Sequence, residues 1–250
     1  MRVALVHDYL NQYGGTERVL GVLAEMFPDA PIYTLVYDER ATGGAFRGRV
    51  VRTSFLQRWP FARQHHRLFL PAMPIAIETL DLSAYDLVIS DSTSFAKGVI
   101  TKPSTLHINY CHTPTRYLWL DTAKHVAEFP APRFARWFIP FALNYLRLWD
   151  IEAASRVDYF IANSCCVAGR IRKFYHREAR VIYPPILTSR FSIGGPPENF
   201  YLMVARMLPY KRFDIAIEAF NELDYPLKII GDVALAIVTN VTVNVRFPEL

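Results

Sequence analysis

Residues 201–220, YLMVARMLPYKRFDIAIEAF, constrain the fold more than any other stretch of this chain. Tyr201-Leu202-Met203-Val204 is an apolar run with the length and bulk of a buried strand. Ile215, Ala216, Ala219 and Phe220 fall on one face of an amphipathic helix. Pro209 rules out helix immediately before it. A strand, a loop and a helix in that order form the unit of a parallel α/β sheet, and such sheets bind ligands at the carboxyl ends of their strands. Arg206 and Lys211 lie in this loop. Beside a helix N-terminus, with its free N–H groups and positive dipole end, two cations suit a diphosphate. They read equally as solvated surface charges, the usual fate of Lys and Arg.

The rest of the chain repeats the same alternation. Val3 to Val6 reads as a first buried strand, followed by a loop and then by Gly14-Gly15-Thr16-Glu17 opening a helix with Val19, Leu20, Leu23, Met26 and Phe27 on one face. Glycines at such a turn let a phosphate or sugar approach the backbone and the helix N-terminus, or simply make the turn tight. The G-x-G-x-x-G fingerprint is absent, which disfavours a nicotinamide or flavin enzyme. Further strands are expected at 32–36, from Val50, at 87–90, 106–110 and 159–162, and at 227–230 ending in Gly231-Asp232. Asn163-Ser164 reads as a helix cap. The run Asp91-Ser92-Thr93-Ser94 suggests a serine nucleophile, but no G-x-S-x-G elbow surrounds it. His65 and His66 lack the spacing of a helical metal pair and read as surface residues. His112 leaves a strand end into Thr113-Pro114, at the ligand edge, where it either meets a ligand or caps the next helix. Pro184 to Glu198, rich in Pro and Gly, reads as a linker. The expected architecture is two α/β parallel-sheet domains, 1–183 and 199–250, joined by 184–198.

Composition narrows the function classes. With 52% hydrophobic and 20% charged residues the 250-residue chain is globular. Three cysteines, two of them adjacent, argue against a disulfide scaffold and for a reducing compartment. No apolar run approaches the ~18 to 20 residues of a membrane span. The net charge of +5 suits an anionic nucleotide, a lipid surface or a nucleic acid without choosing among them. Residues 129–149 interleave Arg133, Arg136 and Arg147 with Phe134, Trp137, Phe138, Phe141, Tyr145 and Trp149. This pattern fits an anionic membrane surface, or a helix pair packing its aromatic face inward. It also occurs in single-strand nucleic-acid binders, the lowest-ranked reading because no groove-reading motif is present.

With these motifs in order, the chain resembles glycosyltransferase family 4, retaining enzymes of the two-domain GT-B fold. The stretches YCHTPTRY, VIYPP and PYKRFDIAIEAF resemble the bacterial branch that builds O-antigen and capsular polysaccharide, often mannosyltransferases. The likeness runs from Met1 to about Asp232. It implies that Gly14 and Gly15 bring N–H groups to the donor diphosphate or the acceptor. It implies that His112 hydrogen-bonds the donor sugar near the reacting carbon, and that Arg206 and Lys211 hold the departing diphosphate. It further implies a nucleotide-sugar donor such as GDP-mannose or a UDP-sugar, a lipid-linked saccharide acceptor, and no cofactor or metal, as no Asp-x-Asp motif is present. The implied location is the cytoplasmic face of a bacterial membrane, with no nucleic-acid partner.

Beyond Asp232 the likeness stops. The family continues with Gly-Pro-Glu and a later pair of glutamates, whereas here VALAIVTNVTVNVRFPEL follows, with Val241, Val243, Val245 and Phe247 alternating like a half-buried strand. The second domain is thus expected to be incomplete, with an atypical tail at 233–250. The alternative to a sugar transferase is then a truncated, non-catalytic remnant or binding module of that family.

Overall fold

The computed structural model describes residues 1–64, 66–120, 122, 126, 135–192, 194–196, 198–205, 211–223 and 225–231, with the backbone alone at 67, 135, 136 and 190. The chain divides into two compact units, Met1–Ile186 and Leu187–Leu250.

The first unit is built on a parallel sheet of seven strands: β1 (Val3–His7), β2 (Ile32–Thr34), β3 (Val51–Thr53), β4 (Leu87–Ser92), β5 (Leu106–Cys111), β6 (Tyr159–Ala162) and β7 (Ala179–Val181). Their spatial order is β3-β2-β1-β4-β5-β6-β7. Alternate residues of one strand serve opposite faces. Ala4, Val6 and Val88 join a core cluster with Met73, Ile77, Leu82 and Leu146. Leu5 and Ile89 join another with Leu20, Ala24 and Ile32. Both faces are therefore covered, which is why these strands read as continuous apolar runs rather than alternating ones. Helices α1 (Gly15–Met26), α2 (Met73–Glu78), α3 (Arg116–Trp119), α4 (Ile139–Ser155) and α5 (Cys165–Tyr175) supply the layers.

Local chemistry explains the element ends. Glu17, in the first turn of α1, accepts the N–H of Gly14 at 2.7 Å. Ser164 caps α5, its hydroxyl accepting from the N–H of Val167. Burial on α1 falls on Val19, Leu20 and Ala24, whereas Met26, assigned to the inner face from sequence, is exposed. β4 extends two residues past the apolar run, because Asp91 pairs in register with His7 and the Ser92 hydroxyl accepts from Asn109 Nδ2 at 2.8 Å. β2 ends early, at Thr34, although Leu35 and Val36 stay buried.

The second unit contains β8 (Tyr201–Val204), α6 (Phe213–Leu223) and β9 (Leu227–Ile230), the two strands pairing in parallel. Tyr201 lies against Phe220 and Tyr225. None of its described residues is buried, and Tyr201, Leu202, Val204 and Ile215 are at least half exposed. The expected buried strand is thus an exposed one. Its apolar character is that of a strand meant for two covered faces, while the described residues here provide one helix and one neighbouring strand. Ile215 stands off the half-buried face of α6, which carries Ala216, Ile217, Ala219 and Phe220. The alternating tail at 241–247 lies outside the described residues.

Candidate functional site

The strand order 3-2-1-4-5 reverses direction at the β1–β4 boundary, and ligands of open parallel sheets bind at the carboxyl ends of the strands flanking such a switch point. The last residue of β1 is His7, its register partner on β4 is Asp91, and His112 directly follows β5. These three side chains touch. Asp91 lies between the two imidazoles, its Oδ2 at 2.9 Å from His7 Nδ1 and its Oδ1 at 2.5 Å from His112 Nε2. On its other side His7 Nε2 faces Glu17 Oε1 at 3.7 Å. A continuous chain of polar contacts thus runs from the N-terminus of α1 through Glu17, His7 and Asp91 to His112. Side-chain exposure is 3% at His7, 0% at Asp91 and 10% at His112, so His112 is the cluster's contact with the outside.

The electrostatics follow from this sandwich. Burial alone would lower the pKa of His7, but the hydrogen bonds to Asp91 and Glu17 outweigh it and raise it to about 10. His7 is therefore an imidazolium at neutral pH. Burial works against ionisation of Asp91, yet the His112 charge and the bonds from both histidines hold its pKa below the usual range. At Glu17 the bond and charge of His7 likewise overcome burial and lower the pKa. His107 shows the opposite outcome. It is equally buried, burial dominates, the charge of Asp158 offsets too little, and its pKa falls to about 4. Its Nε2 meets Ser90 Oγ at 2.7 Å, a neutral core histidine.

A pH dependence of stability follows from His7. Because its folded pKa is raised, its contribution is fully present below its ordinary pKa of 6.5 and is lost as pH rises through about 10. Asp91 and Glu17 have lowered folded values, so their contribution is present above the ordinary carboxylate range and lost as pH falls through those values. Chemical denaturation of wild type and His7→Gln at about pH 6 and about pH 10 should show a stability gap that narrows at the higher pH. A gap of constant size would contradict the charged assignment.

Two buried anchors hold the loops around the cluster. Asp8 accepts the backbone N–H groups of Thr93, Ser94, Phe95 and Ala96 at 2.6–2.9 Å, and the Thr93 hydroxyl at 2.7 Å. Asp150, on α4, accepts from Lys97 Nζ at 2.6 Å, Thr115 Oγ1 at 2.7 Å, and Trp119 Nε1 and the Tyr175 hydroxyl at 2.8 Å each. Lys97 also donates to the Ser94 carbonyl. Neighbouring Gly98 has no room for a side chain, since a Cβ there would overlap the ring of Trp149. The loop after His112 is further tied by Asn163 Nδ2 donating to the His112 carbonyl at 3.0 Å.

Of the residues singled out from sequence, Gly14, Gly15 and His112 share this carboxyl edge. Gly14 is extended at φ −140°, open to any residue, and a Cβ at Gly15 would meet nothing within 4 Å, so neither glycine is needed for a tight turn. Lys211 is exposed two residues before α6, and Arg206 lies outside the described residues. Ser92 is buried under Asn109, not poised as a nucleophile. His66 is half-buried against Tyr9 and Asn11 rather than a plain surface residue, and His65 lies outside the described residues. Cys111 is a packing residue, burial pushing its thiol up to about 12. The aromatics of 129–149 divide: Trp149 turns inward to Glu78, while Trp137, Phe138, Phe141 and Tyr145 are exposed. Arg133, Phe134 and the side chain of Arg136 lie outside the described residues, and Arg147 bonds the Leu118 carbonyl. Among the described residues no helix is long and apolar enough to cross a membrane. No group of three or more His, Cys, Asp or Glu among them could hold a metal ion.

The family model Glycosyltransferase Family 4 matches residues 13–190. Among solved structures the chain resembles Anabaena Alr3699/HepE, solved in complex with UDP, at a TM-score of 0.56 and 16% identity. The match covers 93% of this chain and 61% of that one, so the chain spans about three fifths of that neighbour's length. The chain also matches the spinosyn forosaminyltransferase SpnP at a TM-score of 0.38 and 12% identity, over 96% of this chain and 68% of that one. No curated protein sequence matches. The likeness to HepE shows the α/β fold of GT-B glycosyltransferases.

Proposed function

Because the chain belongs to glycosyltransferase family 4, we propose that it transfers a hexose, with mannose favoured, from a nucleotide-sugar donor to a lipid-linked oligosaccharide, with retention at the anomeric carbon. The observation that carries this reading is the charged His7–Asp91–His112 cluster at the switch point of the first sheet. The site's chemistry matches the reaction. As the bond from the anomeric carbon to phosphate breaks, the nucleoside diphosphate leaves with the electron pair and the acceptor oxygen bonds the same face of the carbon. The departing phosphate oxygen takes the acceptor's proton. Charge grows on the diphosphate, and fixed cations stabilise it more in the transition state than in the substrate. Arg206 and Lys211 fill this role, and with two cations supplied by the protein no metal is required. A Cβ at Gly15 would meet nothing within 4 Å, so the start of α1 has room there for a phosphate or sugar, the role given to Gly14 and Gly15.

A hydrogen bond to a charged group is worth about 1.5–3 kcal/mol. Lys211→Ala should therefore lower transfer by about ten- to a hundredfold. Unchanged turnover would remove Lys211 from the site.

The lipid-linked acceptor implies that the protein works at a membrane. Phe141, Tyr145 and Leu148 form an exposed stripe along α4, continued by Trp137 and Phe138. We place this stripe against an anionic bilayer. Trp137→Ser with Phe141→Ser should then reduce co-sedimentation with anionic vesicles several-fold, and equal sedimentation would assign the stripe elsewhere.

A further inference from the structure

We propose that Asp8 is a positioning residue for His112, acting through a single peptide group, the one that joins Ser92 to Thr93. The inference rests on the reading of His112 as a working residue of a sugar transferase and adds what holds it in place. One end of the peptide meets Asp8: the Thr93 N–H donates to Oδ2 at 2.6 Å. The other end meets His112, whose N–H donates to the Ser92 carbonyl at 2.9 Å. A peptide group is planar and stiff, so a shift at one end is carried to the other. Asp8 is itself fixed from behind, since its main-chain carbonyl accepts the Leu35 N–H at 3.1 Å and the Thr34 hydroxyl at 3.2 Å. The relay thus crosses the carboxyl ends of β2, β1, β4 and β5, neighbours in the sheet, and ends on His112.

The chain needs a carboxylate at this point. Where β4 ends at Ser92, the next four N–H groups leave the sheet ladder, and Ser94, Phe95 and Ala96 are buried. Left unpaired, each would carry the desolvation cost of a buried donor. Asp8, only 2% exposed, takes all four: Thr93 and Ser94 on Oδ2, Phe95 and Ala96 on Oδ1. The Thr93 hydroxyl donates to Oδ2 as well. Only a group that accepts on both oxygens fits, because an asparagine would set its own amide hydrogens against two of these N–H groups. Successive N–H groups converging on one point form a concavity of the kind that binds small anions. Emptied of its own carboxylate, this nest is a site for a small carboxylic anion. Asp8 touches no substrate and acts on transfer only through His112.

Deleting and restoring the carboxylate separates positioning from stability. Asp8→Gly should lower transfer from radiolabelled GDP-mannose or UDP-hexose to lipid by about a hundredfold, the effect of misplacing a reacting group by about 1 Å. The loss should fall on kcat rather than KM. Acetate, whose two carbons replace the deleted Cβ and carboxyl carbon, should then raise kcat with saturation in Asp8→Gly and leave wild type unchanged. In folded Asp8→Asn, amide hydrogen exchange should quicken by a larger factor at Thr93 and His112 than at Ala4 and Val88 in the core of the sheet. Turnover of folded Asp8→Gly equal to wild type overturns the proposal, as does a loss that acetate does not reverse. Exchange raised by the same factor at all four amides overturns it too. So does failure of both variants to fold, which makes Asp8 a residue of the fold as a whole. If wild type transfers no sugar, the proposed function fails, while exchange at His112 still decides whether Asp8 positions it.

Discussion

Asp150→Ala is expected to destabilise the first unit by about 3–5 kcal/mol, the cost of leaving one member of a buried ion pair without its partner. Asp150 and Lys97 are almost fully buried, with side-chain exposures of 1% and 2%. Removing the carboxylate leaves the Lys97 ammonium uncompensated in the interior and also strands Thr115, Trp119 and Tyr175, which all donate to it. The pair itself is not required for stability. Replacing both charges by apolar groups of similar size, as in Lys97→Met with Asp150→Leu, should recover much of the loss, because the desolvation cost disappears together with the attraction. Urea denaturation of the three variants beside wild type measures this. A loss below about 1 kcal/mol for Asp150→Ala would mean that water reaches Lys97. Functional loss should accompany the structural one, since Asp150 holds Thr115 and Trp119 of the segment that follows His112.

His112→Ala should lower sugar transfer by about a hundred- to a thousandfold, the range seen when one preorganised donor or acceptor is removed from a transition-state site. On the proposed contact between His112 and the donor sugar, the effect should fall on kcat more than on KM. Folding is not expected to suffer comparably. His112 is the outermost member of its cluster, and its removal leaves Asp91 still paired with His7. A thermal melt near that of wild type, with turnover lost, separates the two effects. Loss of turnover in step with loss of fold would make His112 a structural residue.

Much of the frame is legible in the sequence because strands covered on both faces announce themselves as apolar runs. Val3 to Val6 and Leu87 to Ile89 are of this kind, and Ser164 declares the start of α5 by its hydroxyl. His112 stands out as a histidine leaving the carboxyl end of a strand into a proline-held loop. Its partners do not. His7 and Asp91 are 84 residues apart, and their contact depends on β1 and β4 being neighbours, which is a property of strand order and not of spacing. The signal that points to them is shared position: each closes an apolar run destined for the carboxyl edge. Lys97 and Asp150 are hidden for a different reason. Charged residues default to the surface, and Asp150 ends an aromatic-basic stretch whose inward and outward faces a single sequence does not separate. In the second unit the apolar pattern of Tyr201 to Val204 is that of a strand covered on both sides, and the described neighbours cover it only in part.

The most direct measurement of the central claim is label transfer by the protein, supplied with radiolabelled GDP-mannose or UDP-hexose and a membrane lipid extract containing lipid-linked saccharides. Expected is radiolabel in the lipid fraction, with nucleoside diphosphate released in equal amount and both products lost together in His112→Ala. Nucleoside diphosphate release without labelled lipid, or labelled lipid at the same rate from His112→Ala, would contradict a sugar transferase working through the His7–Asp91–His112 cluster.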